Sequence, residues 1–170
     1  MNGKVYYLGH ASFRIESPDG LVIYLDPFAG EGYEKPADAI FLTHEHADHT
    51  GTDLVKKNPG CRLITHHEAL QGGKYNRFSI GNVSFKAVPA YNERHPREKG
   101  VGYIVTMNEK KIYFPGDTSK IPEMEDFAKE GITYAFYNVD GVYNMGPEEA
   151  SECAAIIGAM HSIPIHTCPV

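Results

Sequence analysis

The feature that most constrains this chain is a join. A continuous apolar run, Ala39-Ile40-Phe41-Leu42, leads without a break into Thr43-His44-Glu45-His46-Ala47-Asp48-His49. A short run that is apolar at every position is expected of a strand buried on both faces, so its sheet needs cover above and below. The histidine-rich segment is then a loop at that strand's end, the place where a rigid sheet presents functional groups. Imidazole and carboxylate are the usual nitrogen and oxygen ligands of zinc, manganese and iron. His44, His46, Asp48 and His49 are four such groups in six residues. They are too many for one tetrahedral ion with an open position and suit two adjacent ions. The alternative is a polar surface loop that happens to be rich in histidine, but clustered imidazoles without a ligand have no structural use in a turn.

Short strands dominate the rest. β-Branched and aromatic residues bounded by turn residues predict strands at 5–8, 12–15, 21–25, 39–42, 62–65, 77–80, 83–88, 102–107, 111–114, 134–139 and 162–166. Helices are expected at 52–57, stopped by Asn58-Pro59-Gly60, and at 122–130, stopped by Gly131. The clearest helix is 147–160, with Pro147 in its first turn, Glu148 and Glu149 at the positive end of its dipole and His161 at the other end. The histidine and acidic clusters fall just beyond strand ends. Without linker or clear short-period repeat, residues 1–170 are expected to form one domain.

Composition narrows the function. With 170 residues and 42% hydrophobic content the chain has the means for a real core. A formal charge of −6 argues against nucleic acid as a partner. The basic pairs Lys56-Lys57 and Lys110-Lys111 read as solvated surface. No stretch has the length of a signal peptide's apolar core or of a membrane span. Cys61, Cys153 and Cys168 are odd in number and lack a Cys-x-x-Cys spacing, so free thiols in the cytoplasm are expected.

Residues 43–51 resemble the His-x-His-x-Asp-His signature of the metallo-β-lactamase superfamily. Further segments match in order: Tyr7-Leu8-Gly9-His10-Ala11-Ser12-Phe13, Leu25-Asp26-Pro27-Phe28, Phe114-Pro115-Gly116-Asp117-Thr118 and Ile163-Pro164-Ile165-His166 are similar to segments of its small metal-dependent hydrolases. The resemblance implies an α+β fold, a four-layer αβ/βα sandwich. It also implies two divalent metal ions, zinc first, with manganese or iron acceptable. His44 and His46 would bind the first, Asp48, His49 and His166 the second, and Asp117 both. The nucleophile would be a hydroxide activated by the two ions, with Asp48 or Asp117 handling its proton. The substrate class would be a small ester, lactone, amide or phosphodiester.

Other residues have two readings each. His10 either reaches the cleft as a supporting or substrate-binding group or makes a turn hydrogen bond. Asp26 either orients a ligand histidine or forms a turn. Asp140 and Tyr143 lie in a loop that faces the cleft in related enzymes, where Tyr143 either polarises a substrate oxygen or packs. His66, His67 and His161 read as surface or helix-end histidines, and Cys168, although near His166, as a buried free thiol.

The chain departs from the family at one ligand. Many members supply a third histidine to the first ion where this chain has Asn92. His95, the Asn92 amide oxygen or water could take that position. Imidazole suits zinc better than an amide oxygen, but His95 precedes Pro96, which biases it towards extended backbone. The same gap motivates a non-catalytic binding domain as one alternative function. A di-iron redox protein is another, although those relatives generally carry glutamate where His46 stands, together with a flavin domain. The chain also stops four residues after His166, where relatives continue, so either a short version or an incomplete sequence is expected.

Overall fold

Period-two alternation builds two sheets that face each other. In the computed structural model, which describes residues 3–168, the first sheet contains β1 (Lys4–Gly9), β2 (Ser12–Glu16), β3 (Val22–Leu25), β4 (Ala37–Phe41) and β5 (Lys57–Ile64), side by side in that order. A short helix, α1 (His66–Ala69), and a ribbon of β6 (Leu70–Gln71) and β7 (Lys74–Tyr75) come next. The second sheet holds β8 (Arg77–Ile80), β9 (Val83–Pro89), β10 (Val101–Met107), β11 (Lys110–Phe114), β12 (Tyr134–Asn138) and β13 (His161–Ile165), again in chain order. Each sheet begins antiparallel and ends parallel, at β3–β4–β5 and at β11–β12–β13. This shared plan has no counterpart as a short repeat in the sequence.

The core lies between the sheets. Phe13 and Ile15, Ile23 and Leu25, and Ala39 and Phe41 point inward from alternate positions to meet Phe85, Ala87, Tyr103, Val105 and Phe114. Phe41 stacks on Phe85 with centroids 3.9 Å apart and takes Tyr103 edge-on at 5.3 Å. Burying a side chain of this size stabilises the fold by about 1.5–3 kcal/mol. On the far face of β4, Ile40 and Leu42 pack with Tyr24 and Val55. The run at 39–42 is therefore buried on both faces, as its sequence predicts.

Helices α2 (Met124–Phe127) and α3 (Pro147–Ile157) cover the outside of the second sheet, placing Met124, Phe127, Ala150, Cys153 and Ile157 against Ile104, Tyr113, Ala135 and Tyr137. The cover on the first sheet is thinner, with Tyr33 stacked on Tyr24 and Val55 packed beside it. The whole is the expected α+β sandwich.

Several boundaries differ from the sequence reading. The helix expected at 52–57 is only a 3-10 turn, Thr52–Leu54, and β5 starts at Lys57. Asn58-Pro59-Gly60 lies within β5, where the register with β4 slips. An edge strand tolerates proline because the missing N–H can face away from the sheet. The helix expected at 122–130 is α2 followed by a 3-10 turn, Ala128–Glu130, before left-handed Gly131. Helix α3 ends at Ile157 because Gly158 turns left-handed and its N–H returns to the Ala154 carbonyl. His161 consequently opens β13, exposed and stacked on Tyr134, and does not end a helix. His66 is buried in α1, whereas Cys168 is exposed. Among the described residues no helix is long and apolar enough to cross a membrane.

Candidate metal centre

The loops after β1, β3, β4, β9, β11, β12 and β13 deliver His10, Asp26, residues 43–49, His95, Asp117, Asp140 and His166 to one rim of the sandwich. After β4 the chain forms a 3-10 turn, Ala47–His49, closed by the His49 N–H on the His46 carbonyl at 3.0 Å. That turn leaves His46 exposed and sends His49 fully inside. After β11, Gly116 adopts φ +61°, and a Cβ there would strike the Val101 carbonyl oxygen. Glycine is thus required to aim Asp117 at the histidines.

Two groups of donors result. His44, His46, His95 and Asp117 form one, and His10, Asp48, His49 and His166 the other; in each, one ligand atom per residue lies within 4.8 Å of all the rest. Asp117 joins them. Its Oδ1 is 3.3 Å from His49 Nε2 and 3.7 Å from His166 Nε2, while its Oδ2 is 3.2 Å from His95 Nε2 and 3.8 Å from His44 Nε2.

The donors fit divalent cations. The Nε2 atoms of His44, His49 and His166 are buried without a hydrogen-bond partner, and leaving such an atom unpaired costs about 1–3 kcal/mol. Two of the opposite nitrogens are braced, His44 Nδ1 by Thr43 Oγ1 at 3.0 Å and His49 Nδ1 by Asp26 Oδ2 at 2.9 Å; His166 Nδ1 makes no hydrogen bond but lies 3.1 Å from Asp140 Oδ2. Carboxylate behind imidazole is the usual support of a metal-binding histidine, because it fixes the ring and leaves the forward lone pair free.

Charge favours the same occupant. Burial, aided by neighbouring His49, pushes His44 down to about 2, so its imidazole stays neutral and able to donate a lone pair. Burial opposes a charge on His49, yet Asp26 and then Asp117 raise it to about 10. Burial would likewise raise Asp117, but the His49 and His95 imidazoles hold its carboxyl well below the usual range. An anionic pocket that retains a proton this firmly is one in which a cation can replace that proton.

The residues with two readings now have places. Asp26, buried at φ +45°, accepts from the Thr43 N–H at 2.7 Å and hydroxyl at 2.6 Å as well as facing His49. His10 does more than close a turn: its Nε2 lies 2.9 Å from Asp48 Oδ2, and its ring is 3.6 Å from that of His166. Asn92 Oδ1 accepts from the Arg94 and His95 N–H groups at 2.9 Å each and faces His95 Nδ1 at 2.9 Å. The amide thus braces the His95 ring, and His95 Nε2 is the atom in the cluster. Asp140 Oδ1 accepts from the N–H groups of Val142, Tyr143 and Asn144. Tyr143 is exposed at the rim, with the Arg94 guanidinium 5.3 Å from its ring. Together with His46, Asp48 and Asp117 they line a cleft of about 310 Å³.

Sequence reasoning missed Asn138, Asn144 and Arg94. Asn138 Nδ2 donates to Asp117 Oδ1 at 3.1 Å and Asn144 Nδ2 to Asp117 Oδ2 at 3.2 Å, so each carboxylate oxygen has an amide behind it. Asn138 ends β12, and the strand-end rule that located the other groups applies to it too. A larger cavity, of about 570 Å³, lies elsewhere, lined by apolar residues such as Val5, Met107 and Phe136. It is far poorer in reactive groups than this rim.

The sequence profile of the β-lactamase superfamily domain matches residues 4–166. The chain belongs to this superfamily. Among β-lactamase superfamily relatives, a UPF0173 metal-dependent hydrolase from Methanoculleus marisnigri is 31% identical over 184 residues, covering 96% of this chain and 80% of the relative. A crystal structure from Parabacteroides distasonis, described as a metal-dependent hydrolase, superposes with a TM-score of 0.82 at 30% identity, covering 95% of this chain and 81% of that one. One from Thermotoga maritima, described as a zinc-dependent hydrolase, gives 0.71 at 26% identity over 97% and 76% of the two chains. The mixed sheets with few helices seen here are the superfamily's α+β sandwich.

Proposed function

We propose that this metal-dependent hydrolase cleaves a small ester, lactone, amide or phosphodiester at a two-ion centre. His44, His46 and His95 would hold one ion, Asp48, His49 and His166 the other, with Asp117 between them. The observation that carries the reading is the reach of Asp117, whose two oxygens face imidazoles of different groups. When bound, two divalent cations, zinc by this donor set with manganese or iron also acceptable, supply Lewis acidity and a hydroxide nucleophile near neutral pH.

The chain's own groups do the rest. Asp26 and Asn92 would keep two of the imidazoles oriented, and the Asp140 carboxylate stands beside a third, that of His166. Asn138 and Asn144 steady the Asp117 carboxylate. Asp48 is half-buried at the cleft and held by His10, which suits it to accept the nucleophile's proton. Tyr143, which lines the cleft at the rim, would polarise a substrate oxygen. Arg94 beside it is the cation of this cleft and favours, among the four classes, a substrate carrying negative charge, such as a phosphodiester. Three free cysteines support a reducing compartment, the cytoplasm, as its place of work.

The test compares chelated protein with protein reloaded with zinc, manganese or iron on phosphodiester, thioester, lactone and β-lactam substrates. Hydrolysis that appears on reloading and is lost in Asp117→Ala supports the reading. Turnover that survives both chelation and that substitution removes it.

A further inference from the structure

A third group of donors lies beside this centre and has no part in it. Glu45, His66 and His67 bring one ligand atom each within 4.8 Å of one another. They come from two places in the chain. Glu45 stands in the loop after β4 with its side chain outside the His44 group, and His66 and His67 open α1. Thr65 caps that helix: its side chain accepts from the His67 N–H, and Glu68 returns to the Thr65 N–H at 2.9 Å. The capped turn sets the two imidazoles side by side, with centroids 3.9 Å apart. Glu45 Oε1 then meets His67 Nε2 at 3.0 Å.

His66 is the unusual member. It is 2% exposed, yet neither ring nitrogen has a hydrogen-bond partner. Burying an imidazole with both nitrogens idle is costly, and an apolar residue would fill the space without that cost. Burial and the adjacent His67 also lower its affinity for a proton, leaving a neutral ring with a lone pair to donate. With Glu45 it lines a cleft of about 220 Å³ that also opens on His46 and His95. A water could satisfy one nitrogen of His66, but it would not account for a carboxylate and a second imidazole that each bring a ligand atom within 4.8 Å of it. Two imidazoles and a carboxylate are a ligand set for a borderline divalent cation, and Glu45 Oε1 and His67 Nε2, 3.0 Å apart, already have about the separation that Zn–N and Zn–O bonds of about 2.0–2.2 Å require. Lys99 lines the same cleft and opposes a cation, but Glu45 brings a full negative charge into the ligand set itself.

We infer that Glu45, His66 and His67 form a further metal site, selective for zinc-like cations over magnesium or calcium, at the mouth of the cleft leading to His46 and His95. The site rests on these three side chains and not on the two-ion reading. With only three protein ligands and two of them exposed, it binds more weakly than the buried groups and keeps a position open to solvent or to an anionic ligand.

The experiment is a zinc titration of metal-stripped protein, followed by calorimetry and by mass-spectrometric metal content, on wild type, His67→Ala, Glu45→Gln and His66→Gln. His67 and Glu45 are exposed, so their variants report the site even if the buried His66 variant folds poorly. Each variant is expected to bind one zinc fewer than wild type and to lose the weakest phase of the isotherm, while magnesium gives no such phase. Identical stoichiometry and isotherms in wild type, His67→Ala and Glu45→Gln overturn the inference. If those variants match wild type and hydrolysis still depends on metal, the third site alone is wrong. If His67→Ala loses one ion in a protein whose hydrolysis survives both chelation and Asp117→Ala, the third site stands and the two-ion reading falls.

Discussion

Replacing Asn92 with alanine while leaving His95 in place separates a proposed ligand from its brace. The Asn92 side chain makes four contacts of 2.9 Å: from its Oδ1 to the Arg94 N–H, the His95 N–H and His95 Nδ1, and from its Nδ2 to the Tyr143 carbonyl. The ring contact keeps the proton on Nδ1 and leaves Nε2 bare towards Asp117 and His46, each 3.2 Å away. Loss of such a support weakens metal binding by about 10–100-fold, which is about 1.4–2.7 kcal/mol. The loop loses hydrogen bonds as well, and because Asn92 is half-buried and water replaces some of them, that part costs about 1–2 kcal/mol. Melting with and without chelator separates the two terms. Chelated Asn92→Ala should melt about 2–8 °C below chelated wild type, from the loop alone. The gain on adding metal should also be smaller than in wild type by about 3–11 °C, since a ligand stabilises through its affinity for the folded state. Asn92→Asp, which keeps the acceptor, should retain that gain, and His95→Ala should lose about one metal per chain. A full metal-dependent gain in Asn92→Ala together with unchanged metal content in His95→Ala would refute the assignment of brace and ligand.

Asp117→Ala is expected to abolish hydrolysis and lower the content of both buried ions, while Asp117→Asn keeps more of the fold but not the charge; near-wild-type turnover in either takes Asp117 out of the reaction. Phe41→Ala should cost about 3–5 kcal/mol in urea unfolding, because Phe85 and Tyr103 close on it from two sides; a loss below about 1 kcal/mol would mean that the inter-sheet core can collapse around the cavity. Glu130, held by Lys111 and then Lys86, is brought down from its ordinary 4.5 to about 2. A depressed carboxyl stabilises the fold above its unfolded value and ceases to do so as pH falls through its folded value. Glu130→Gln should therefore cost about 1–2 kcal/mol at neutral pH, after discounting for solvent, and nearly nothing at the bottom of that range, and an equal cost at both ends would contradict the pairing. Graded chelation should empty the His44 group before the His49 group, so the weaker of the two buried-ion isotherms should vanish in His95→Ala and persist in His166→Ala.

The sequence made the centre legible wherever the chemistry was local. Four candidate ligands in six residues need no tertiary information, and the alternation that packs Phe13, Ile15, Ile23 and Leu25 inward is local too. The features that escaped depend on partners distant in the chain. Asn58-Pro59-Gly60 reads as a stop until the strand holding it is known to be an edge, where proline is harmless. Asn138 and Asn144 look like any turn-forming amides, and only the fold puts them behind Asp117. His66 comes after a strand like the candidate ligands, but only the fold brings it to a cleft shared with His95, Pro96, Lys99 and Gly100.

The two buried donor groups are held by different means, and on the two-ion reading this sets the order in which they would release an ion. His10, Asp26 and His166 have φ of 52°, 45° and 50°, a region that costs a non-glycine residue about 1–3 kcal/mol. Each stands one residue beyond the end of β1, β3 or β13, and each serves the second group: His10 on Asp48, Asp26 on His49, and His166 itself. The left-handed step turns the chain off the strand axis at the rim. Those backbones are tied down as well, since the His166 N–H donates to the His10 carbonyl at 3.0 Å and the Asp26 N–H to that of Phe41 at 3.0 Å. Strain that survives in a fold is strain the surroundings over-determine, so the second group is set before any ion arrives. None of the first group's four residues has positive φ; His46 is exposed, and His95 depends on the Asn92 amide. An ion must order those two side chains on binding, and that entropy is subtracted from its affinity. On the two-ion reading, the first group is therefore the one expected to yield its metal sooner.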